Sequence, residues 1–327
     1  MRKFLVIQTA SIGDVILATA LIEKLHGTYP DAEIDFLIKK GYENLFSMHP
    51  FLNELIIWDK KNGKYRNLLQ ILKKTRGKRY DAVVNVQRFA ATGLLTAFSK
   101  AEMKIGFDKN PFSFLFNKKV RHIIGDGRHE VQRNQELIAD ITDGVPAKPR
   151  LYPTEQDFDS VKQFKTREYI CIAPCSLWFT KQMPEEQWVK FAASLPKGLK
   201  VFLLGGKDDN DVCERIRVKS GNGDITNLAG QLSLLRSAAL MRDAKMNFVN
   251  DSSPMHLAAS QDAPTTAVFC STTTDFGFGP LSSDSCIVET REKLECRPCG
   301  LHGFRQCPKG HFKCGYSIDL QELTNRL

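Results

Sequence analysis

Short apolar runs alternate with stretches of helical periodicity along the whole 327-residue chain. That alternation restricts it to parallel βαβ units, because a doubly covered parallel strand reads as a near-continuous apolar run and reaches the next strand through an amphipathic helix. In the first half the predicted strands are 4–8, 34–38, 55–58, 82–86 and 104–106. The first helix is expected over about 13–29, with Ile16, Leu17, Ala20, Leu21 and Leu25 on one face and Pro30 beyond its end. The second half repeats the scheme, with strands at 169–173, 200–204, 247–250 and 265–269 and helices near 184–194, 209–219, 233–243 and 254–260. Between the halves Pro146, Pro149 and Pro153 stand among polar residues, as in a linker.

A chain of this length is too long for one comfortable core. The expected fold class is therefore α/β, with two Rossmann-like domains facing across a cleft, over 1–150 and 151–327, the second carrying a cysteine-rich tail and a terminal helix. The composition, 42% hydrophobic and 25% charged, is that of a globular protein. The opening Met1-Arg2-Lys3 and Phe4 to Ile7 imitate a signal peptide until Gln8 and Asp14 interrupt them, with no small-residue cleavage pattern after. A cytoplasmic protein is expected. The formal charge is +9, and nine Lys and Arg fall between Lys60 and Arg79. They read either as a solvated helix with its turns or as a contact for an acidic acceptor or anionic lipid head groups.

In an open parallel sheet, ligands bind beyond the carboxyl ends of the strands, so the strand-to-helix turns carry the chemistry. The first turn is Ser11-Ile12-Gly13-Asp14. Gly13 permits close backbone approach, and Asp14 either answers the helix dipole or serves as a general base for an incoming hydroxyl. The turn lacks the Gly-x-Gly-x-x-Gly pattern of nicotinamide enzymes. A second turn, Asn250-Asp251-Ser252-Ser253-Pro254-Met255-His256, offers hydroxyl and amide donors at a helix start suited to anions. Asp251 there suits sugar hydroxyls, and His256 either donates to a phosphate oxygen or packs against the neighbouring strand. Lys181 reads either as an ordinary surface lysine or, since it precedes a helix that begins at Pro184, as a cation within reach of a diphosphate; Trp188 reads as core. Gly205-Gly206-Lys207-Asp208-Asp209 closes the next strand, where a carboxylate often meets a ribose.

Ile12-Gly13-Asp14-Val15, 104–108 (Lys-Ile-Gly-Phe-Asp), His129-Glu130-Val131-Gln132-Arg133-Asn134, Leu228-Ala229-Gly230 and the run from Asn250 to Ala259 resemble glycosyltransferase family 9, the heptosyltransferases of the lipopolysaccharide inner core. The resemblance extends over nearly the whole chain. It implies the two-lobed GT-B architecture, a nucleotide diphosphate heptose donor, usually ADP-heptose, a lipopolysaccharide-core acceptor, and inversion at the anomeric carbon without a catalytic metal or cofactor. It makes Asp14 the base, has Lys181 and Ser252 hold the diphosphate and Asp251 the sugar, and puts Asp209 at the ribose; Ser253 and His256 are further donor-site candidates from their place at the helix start, and Gly13, Arg88, His129 and Arg133 are acceptor-site candidates. This chain departs from the family at Ser253, where glycine is usual, at Met183, where tryptophan is frequent, and at Asp209, where glutamate is commoner. Peripheral contact with the inner membrane surface accompanies such an acceptor. A nucleotide-sugar epimerase of the GT-B type is the alternative enzyme; a nucleic-acid module is set aside, since no basic motif is interleaved with aromatics.

The tail holds Cys296, Cys299, Cys307 and Cys314 beside His302 and His311. A structural zinc on the four thiolates is one expectation; reduced packed thiols or disulfides are the others. The other five cysteines read as ordinary core or loop residues.

Overall fold

The computed structural model describes residues 1–327, which divide into two compact units, Met1–Tyr152 and Pro153–Leu327. In the first unit the elements run β1 (Lys3–Ile7), α1 (Ile12–Thr28), β2 (Glu33–Lys39), β3 (Leu52–Trp58), α2 (Lys64–Lys78), β4 (Ala82–Asn85), α3 (Ala90–Phe98), β5 (Met103–Phe107), β6 (Lys118–Val120) and α4 (Glu130–Ile138). In the second they run α5 (Glu155–Val161), β7 (Tyr169–Ala173), α6 (Glu185–Ser194), β8 (Lys200–Leu203), α7 (Asn210–Ser220), β9 (Ile225–Asn227), α8 (Leu234–Arg242), β10 (Asn247–Asn250), α9 (Ser253–Ala259), β11 (Thr265–Phe269), β12 (Ser285–Glu289), α10 (Lys313–Tyr316) and α11 (Leu320–Thr324).

Each unit is built on one six-stranded sheet, ordered β3-β2-β1-β4-β5-β6 in the first and β12-β11-β10-β7-β8-β9 in the second. Every pairing is parallel. Numbered from its own first strand, each sheet has the doubly wound order 3-2-1-4-5-6. The chain is thus an α/β protein of two Rossmann-like domains, the construction of GT-B enzymes.

The central strands carry the cores. In the first unit Leu5, Ile7, Leu37, Ile56, Trp58, Val83 and Leu95 pack on one face of the sheet, with Leu68 and Ile71 of α2 over them. In the second, Ile170, Ile172, Val201, Leu203, Phe248 and Val268 meet Trp188 and Phe191 of α6 and Ile216 of α7. Trp188 is therefore core. No helix is long and apolar enough to cross a membrane.

The strand order decides where a ligand can sit. Connections leave β1 and β4 to opposite sides of the first sheet, and β7 and β10 do the same in the second. A crevice opens beyond the carboxyl ends of each pair, which is where open α/β sheets hold ligands. These ends are occupied by the segments after Ile7 and Asn85 in one unit and after Ala173 and Asn250 in the other.

Candidate functional site

In the first unit, Ser11 caps α1 with Asp14 at the third helical position, the reciprocal arrangement that satisfies the free amides of a helix start. Asp14 Oδ2 accepts from the Ser11 amide at 3.1 Å and from the Ser11 hydroxyl at 2.5 Å. Both bonds fall on one carboxylate oxygen of a half-buried side chain. Gly13 is buried beneath it.

The ends of β4, β5, β6 and α4 bring further groups to the same edge of the sheet. Glu130, almost fully buried, is pushed up by burial, an effect that the Arg133 and Arg88 cations oppose and the Asp14 charge reinforces. Arg133 grips that carboxylate through Nε at 3.0 Å and Nη2 at 2.9 Å, and its own side chain is 1% exposed. It therefore positions Glu130 from within the unit. His122 lies 3.9 Å from Glu130 and takes the Asp108 carboxylate on its backbone amide at 3.0 Å. Burial, with the Arg88 and Arg133 cations, lowers its pKa to about 4. His129 caps α4, its Nδ1 accepting from the Val131 amide at 3.1 Å.

Lys60, which sequence reasoning assigned only to the basic run, reaches into this turn. Its ammonium donates to the Thr9 carbonyl at 2.7 Å and to the Thr9 hydroxyl at 2.9 Å. Half-burial and the nearby Lys39 and Lys64 lower its pKa to about 8. Thr9 in turn donates to Gln87 Oε1 at 3.2 Å, so the first turn is tied to the end of β4. The legible signal was position: Lys60 follows β3 by two residues, on the same sheet edge.

Two buried imidazoles set a pH dependence in this unit, for burial lowers His49 to about 4 as well, with the His26 charge adding to it. Between pH 6.5 and about 4 the unfolded chain takes up protons that the folded one refuses, so stability falls as pH falls through that window and is full above it. Urea midpoints should drop from pH 7 to pH 5, and the drop should be smaller in His122→Gln.

In the second unit the equivalent crevice holds an ion pair. Lys181 Nζ stands 2.7 Å from Asp251 Oδ2, with side chains 16% and 5% exposed. The Thr272 hydroxyl donates to the same oxygen at 2.6 Å. Asn250 locks the two loops together, accepting from the Met183 amide at 2.9 Å and donating to the Pro174 carbonyl at 2.7 Å. Met183 is buried in the core, so the position where tryptophan is frequent in the family serves here as a loop anchor. Ser252 stands at the start of α9, Ser253 is its first residue, and His256 is buried one turn on. Asp209 accepts from the Gly206 amide at 2.7 Å. A β-carbon on Gly205 would lie 2.7 Å from that of Asp209, so the loop fits the carboxylate only as glycine. Gly230 of the Leu-Ala-Gly motif donates its amide to the Gly205 carbonyl at 2.9 Å.

The structure thus gathers Asp14 with Gly13, Arg88, His122, Glu130 and Arg133 in one unit, and Lys181 with Asp251, Ser252 and Thr272 in the other. Thr272 escaped the sequence reading, Asn250 was quoted with its turn but given no role, and Lys60 was read only as part of the basic run. Cys175, read as an ordinary core or loop residue, is buried against Cys213 and Asp209, and these contacts with burial push its thiol far up.

The tail departs from the zinc expectation. Cys296, Cys299, Cys307 and Cys314 are close enough that neighbouring thiols push up the pKa of Cys299 and Cys314, though burial is the larger cause in both. No three His, Cys, Asp or Glu side chains of the chain converge as ligands for an ion, and Cys299 Sγ donates instead to the Cys296 carbonyl at 2.9 Å. The tetrahedral zinc site, one of the readings of these four thiols, is therefore not assembled, and all four are free thiols.

What the tail does is brace the ion pair. The Phe304 amide donates to the Thr180 hydroxyl at 2.8 Å, and the Thr180 amide donates back to the Phe304 carbonyl at 3.1 Å. Cys299 donates its amide to Ser271 at 2.7 Å, and Arg297 donates to the Cys270 and Thr272 carbonyls at 2.7 and 2.8 Å. Gly303, at φ +73°, passes so close that a β-carbon would sit 2.8 Å from the Thr180 hydroxyl and 3.2 Å from Lys181 Cγ. Gly303→Ala should cost about 1–2 kcal/mol from backbone conformation alone, and move Lys181. Thermal melts, with donor titrations alongside, would register both effects.

The profile of glycosyltransferase family 9 (heptosyltransferase) matches residues 68–302. The lipopolysaccharide core heptosyltransferase OpsX of Haemophilus influenzae is 27% identical, over 82% of this chain and 79% of its own. Lipopolysaccharide heptosyltransferase 1 of Pseudomonas aeruginosa is 25% identical, over 91% and 86%. Among solved structures, the ADP-heptose lps heptosyltransferase II of E. coli superposes with a TM-score of 0.79 at 23% identity, over 99% of this chain and 97% of that one. A glycosyl transferase family 9 protein of Veillonella parvula gives 0.84 at 22% identity, over 99% and 95%. At those identities the two structures establish the shared fold.

Proposed function

The chain belongs to glycosyltransferase family 9, the heptosyltransferase family, and from that premise we propose that it inverts the anomeric centre of ADP-heptose while transferring the heptose to a lipopolysaccharide-core acceptor. It is a glycosyltransferase, and its curated relatives are lipopolysaccharide heptosyltransferases. The transfer takes place in the cytoplasm.

The observation that carries it is a division of chemistry between the two switch points. The first unit offers a carboxylate amid cations, the second a buried lysine–aspartate pair at a helix start. In the proposed reaction Asp14 takes the proton from an acceptor hydroxyl on the oxygen that Ser11 leaves unengaged, while the hydroxyl oxygen attacks the anomeric carbon. The bond from that carbon to the diphosphate breaks, and the nucleoside diphosphate leaves. Charge growing on the diphosphate is met by Lys181, by the Ser252 hydroxyl and by amides at the start of α9, with His256 beside them. Asp251, held by Lys181 and Thr272, accepts from the heptose hydroxyls. Asp209 meets the ribose. Arg88, Gly13 and the His129–Arg133 segment shape the acceptor side, with Arg133 acting through Glu130.

The test is a panel of nucleotide diphosphate sugars scored by thermal shift and then by turnover with a core acceptor. ADP-heptose should raise the melting point most, because a ligand that binds only the folded state stabilises it. A larger shift and faster transfer with another sugar nucleotide would displace this donor. Mass analysis after incubation with donor alone distinguishes epimerisation, which needs no acceptor. Turnover should survive EDTA, since no step here runs through a metal; a drop in melting point on chelation, with turnover kept, would restore a structural zinc to the tail.

A further inference from the structure

Helix α2 fits its unit by one face only. Leu68, Ile71 and Thr75 are buried, while Tyr65 is 73% and Leu69 63% exposed on the opposite side. At helical spacing Leu69 has Tyr65 and Arg66 one turn before it and Lys73 one turn after, with Arg76 one turn further on. The helix contains no Asp or Glu. Lys74 and Lys78 are tied down by Glu54 at its flank, and Arg66 and Lys73 remain on the outer face. Arg76 donates to the Phe98 carbonyl at 2.9 Å, which ties the end of α3, with its exposed Phe98, to α2. Between Lys60 and Lys100 the chain has eleven Lys and Arg against one acid, Asp81. That acid is engaged, accepting from the Lys3 amide.

We propose that the outer face of α2 is a docking surface for the anionic head groups of a phospholipid bilayer. An apolar side chain set among cations is what an interfacial helix presents, the cations meeting lipid phosphates while the leucine and aromatic rings enter the head-group boundary. The helix is about 22 Å long, enough to lie along a membrane surface. A nucleic acid would satisfy the cations but would leave Leu69 without a partner. The choice of a bilayer over other polyanions also rests on the proposed lipid-linked acceptor. The start of α2 follows Lys60, the residue that reaches the turn before Asp14, so docking would bring that edge of the first sheet toward the lipid.

The test is flotation of the full chain with vesicles of phosphatidylcholine alone or mixed with phosphatidylglycerol. The chain should float with the anionic vesicles only, and added salt should release it. Each basic residue removed should weaken binding about fivefold, so Arg66→Gln with Lys73→Gln should weaken it by about 25-fold. Leu69→Glu should also abolish flotation. All three positions are exposed, so melting points should not change. Equal flotation with neutral vesicles, or binding within about twofold of the parent by the double glutamine variant, would overturn the proposal, as would Leu69→Gln floating as the parent does, since a nucleic-acid surface uses the cations and has no need of the leucine. Flotation without any sugar transfer would remove the proposed function and leave the docking surface; transfer to a solubilised acceptor without flotation would do the reverse.

Discussion

Asp14→Asn should lower turnover by about 10²–10⁴-fold, the contribution of a positioned general base, while donor affinity stays at the parent value. The variant is close to a pure test of chemistry. An asparagine oxygen still accepts from the Ser11 amide and hydroxyl, so the cap on α1 persists and the turn keeps its shape. What disappears is the basic lone pair. Equilibrium titration with a nonreactive donor analogue separates this from a binding defect, and single-turnover rates measure the loss. Turnover within about threefold of the parent, far below what a lost base costs, would take Asp14 out of the mechanism and leave it a helix cap.

The second large effect is expected at Lys181. Lys181→Ala strips the cation from a carboxylate that is 5% exposed and leaves it only the Thr272 hydroxyl. Breaking a buried pair from one side costs about 3–5 kcal/mol, with the lower end apt here because Lys181 retains some solvent contact and Thr272 still donates. For a unit of this size that is a fall of roughly 6–12 °C in melting temperature. Lys181→Met with Asp251→Asn removes both charges together and should restore most of the melting temperature. It should not restore donor binding, because neither the ammonium nor the carboxylate is present. Recovery of donor affinity in the double variant would make the pair a structural device only.

Much of the fold was legible because the central strands are buried on both faces and so read as apolar runs: Phe4 to Ile7, Ile34 to Ile38, Tyr169 to Ala173. The strands left out were β6, β9 and β12, all at or near a sheet edge. Lys118-Lys119-Val120 has no fully buried residue, and in Ser285 to Glu289 only Val288 is fully buried, so neither carries the periodicity that reveals a strand. The turns at Asp14, Lys181 and Asp251 were legible for a topological reason, each following a strand on the ligand edge. Thr272 belongs to the same class, after β11, and a stricter use of that rule would have included it.

The role of the tail was hidden for a different reason. Cysteine spacing speaks of local ligand geometry, whereas Arg297, Cys299 and Phe304 act through bonds to the backbone and hydroxyl groups of residues up to 124 positions earlier. Nothing in a pattern of Cys-x2-Cys announces a partner that distant. Lys60 was hidden similarly: a charge in a run of charges looks solvated until the Thr9 carbonyl is seen to receive it.

The bonds from residues 297–304 to Thr180 and Thr272 also order events during synthesis. A ribosome delivers all six strands of the second sheet before it delivers the segment that steadies Lys181 and Thr272. A nascent chain that has emerged only as far as residue 296 holds every strand of that sheet and still lacks the bonds on Thr180 and Thr272, so the ion pair of Lys181 and Asp251 gains its brace only after the sheet is complete.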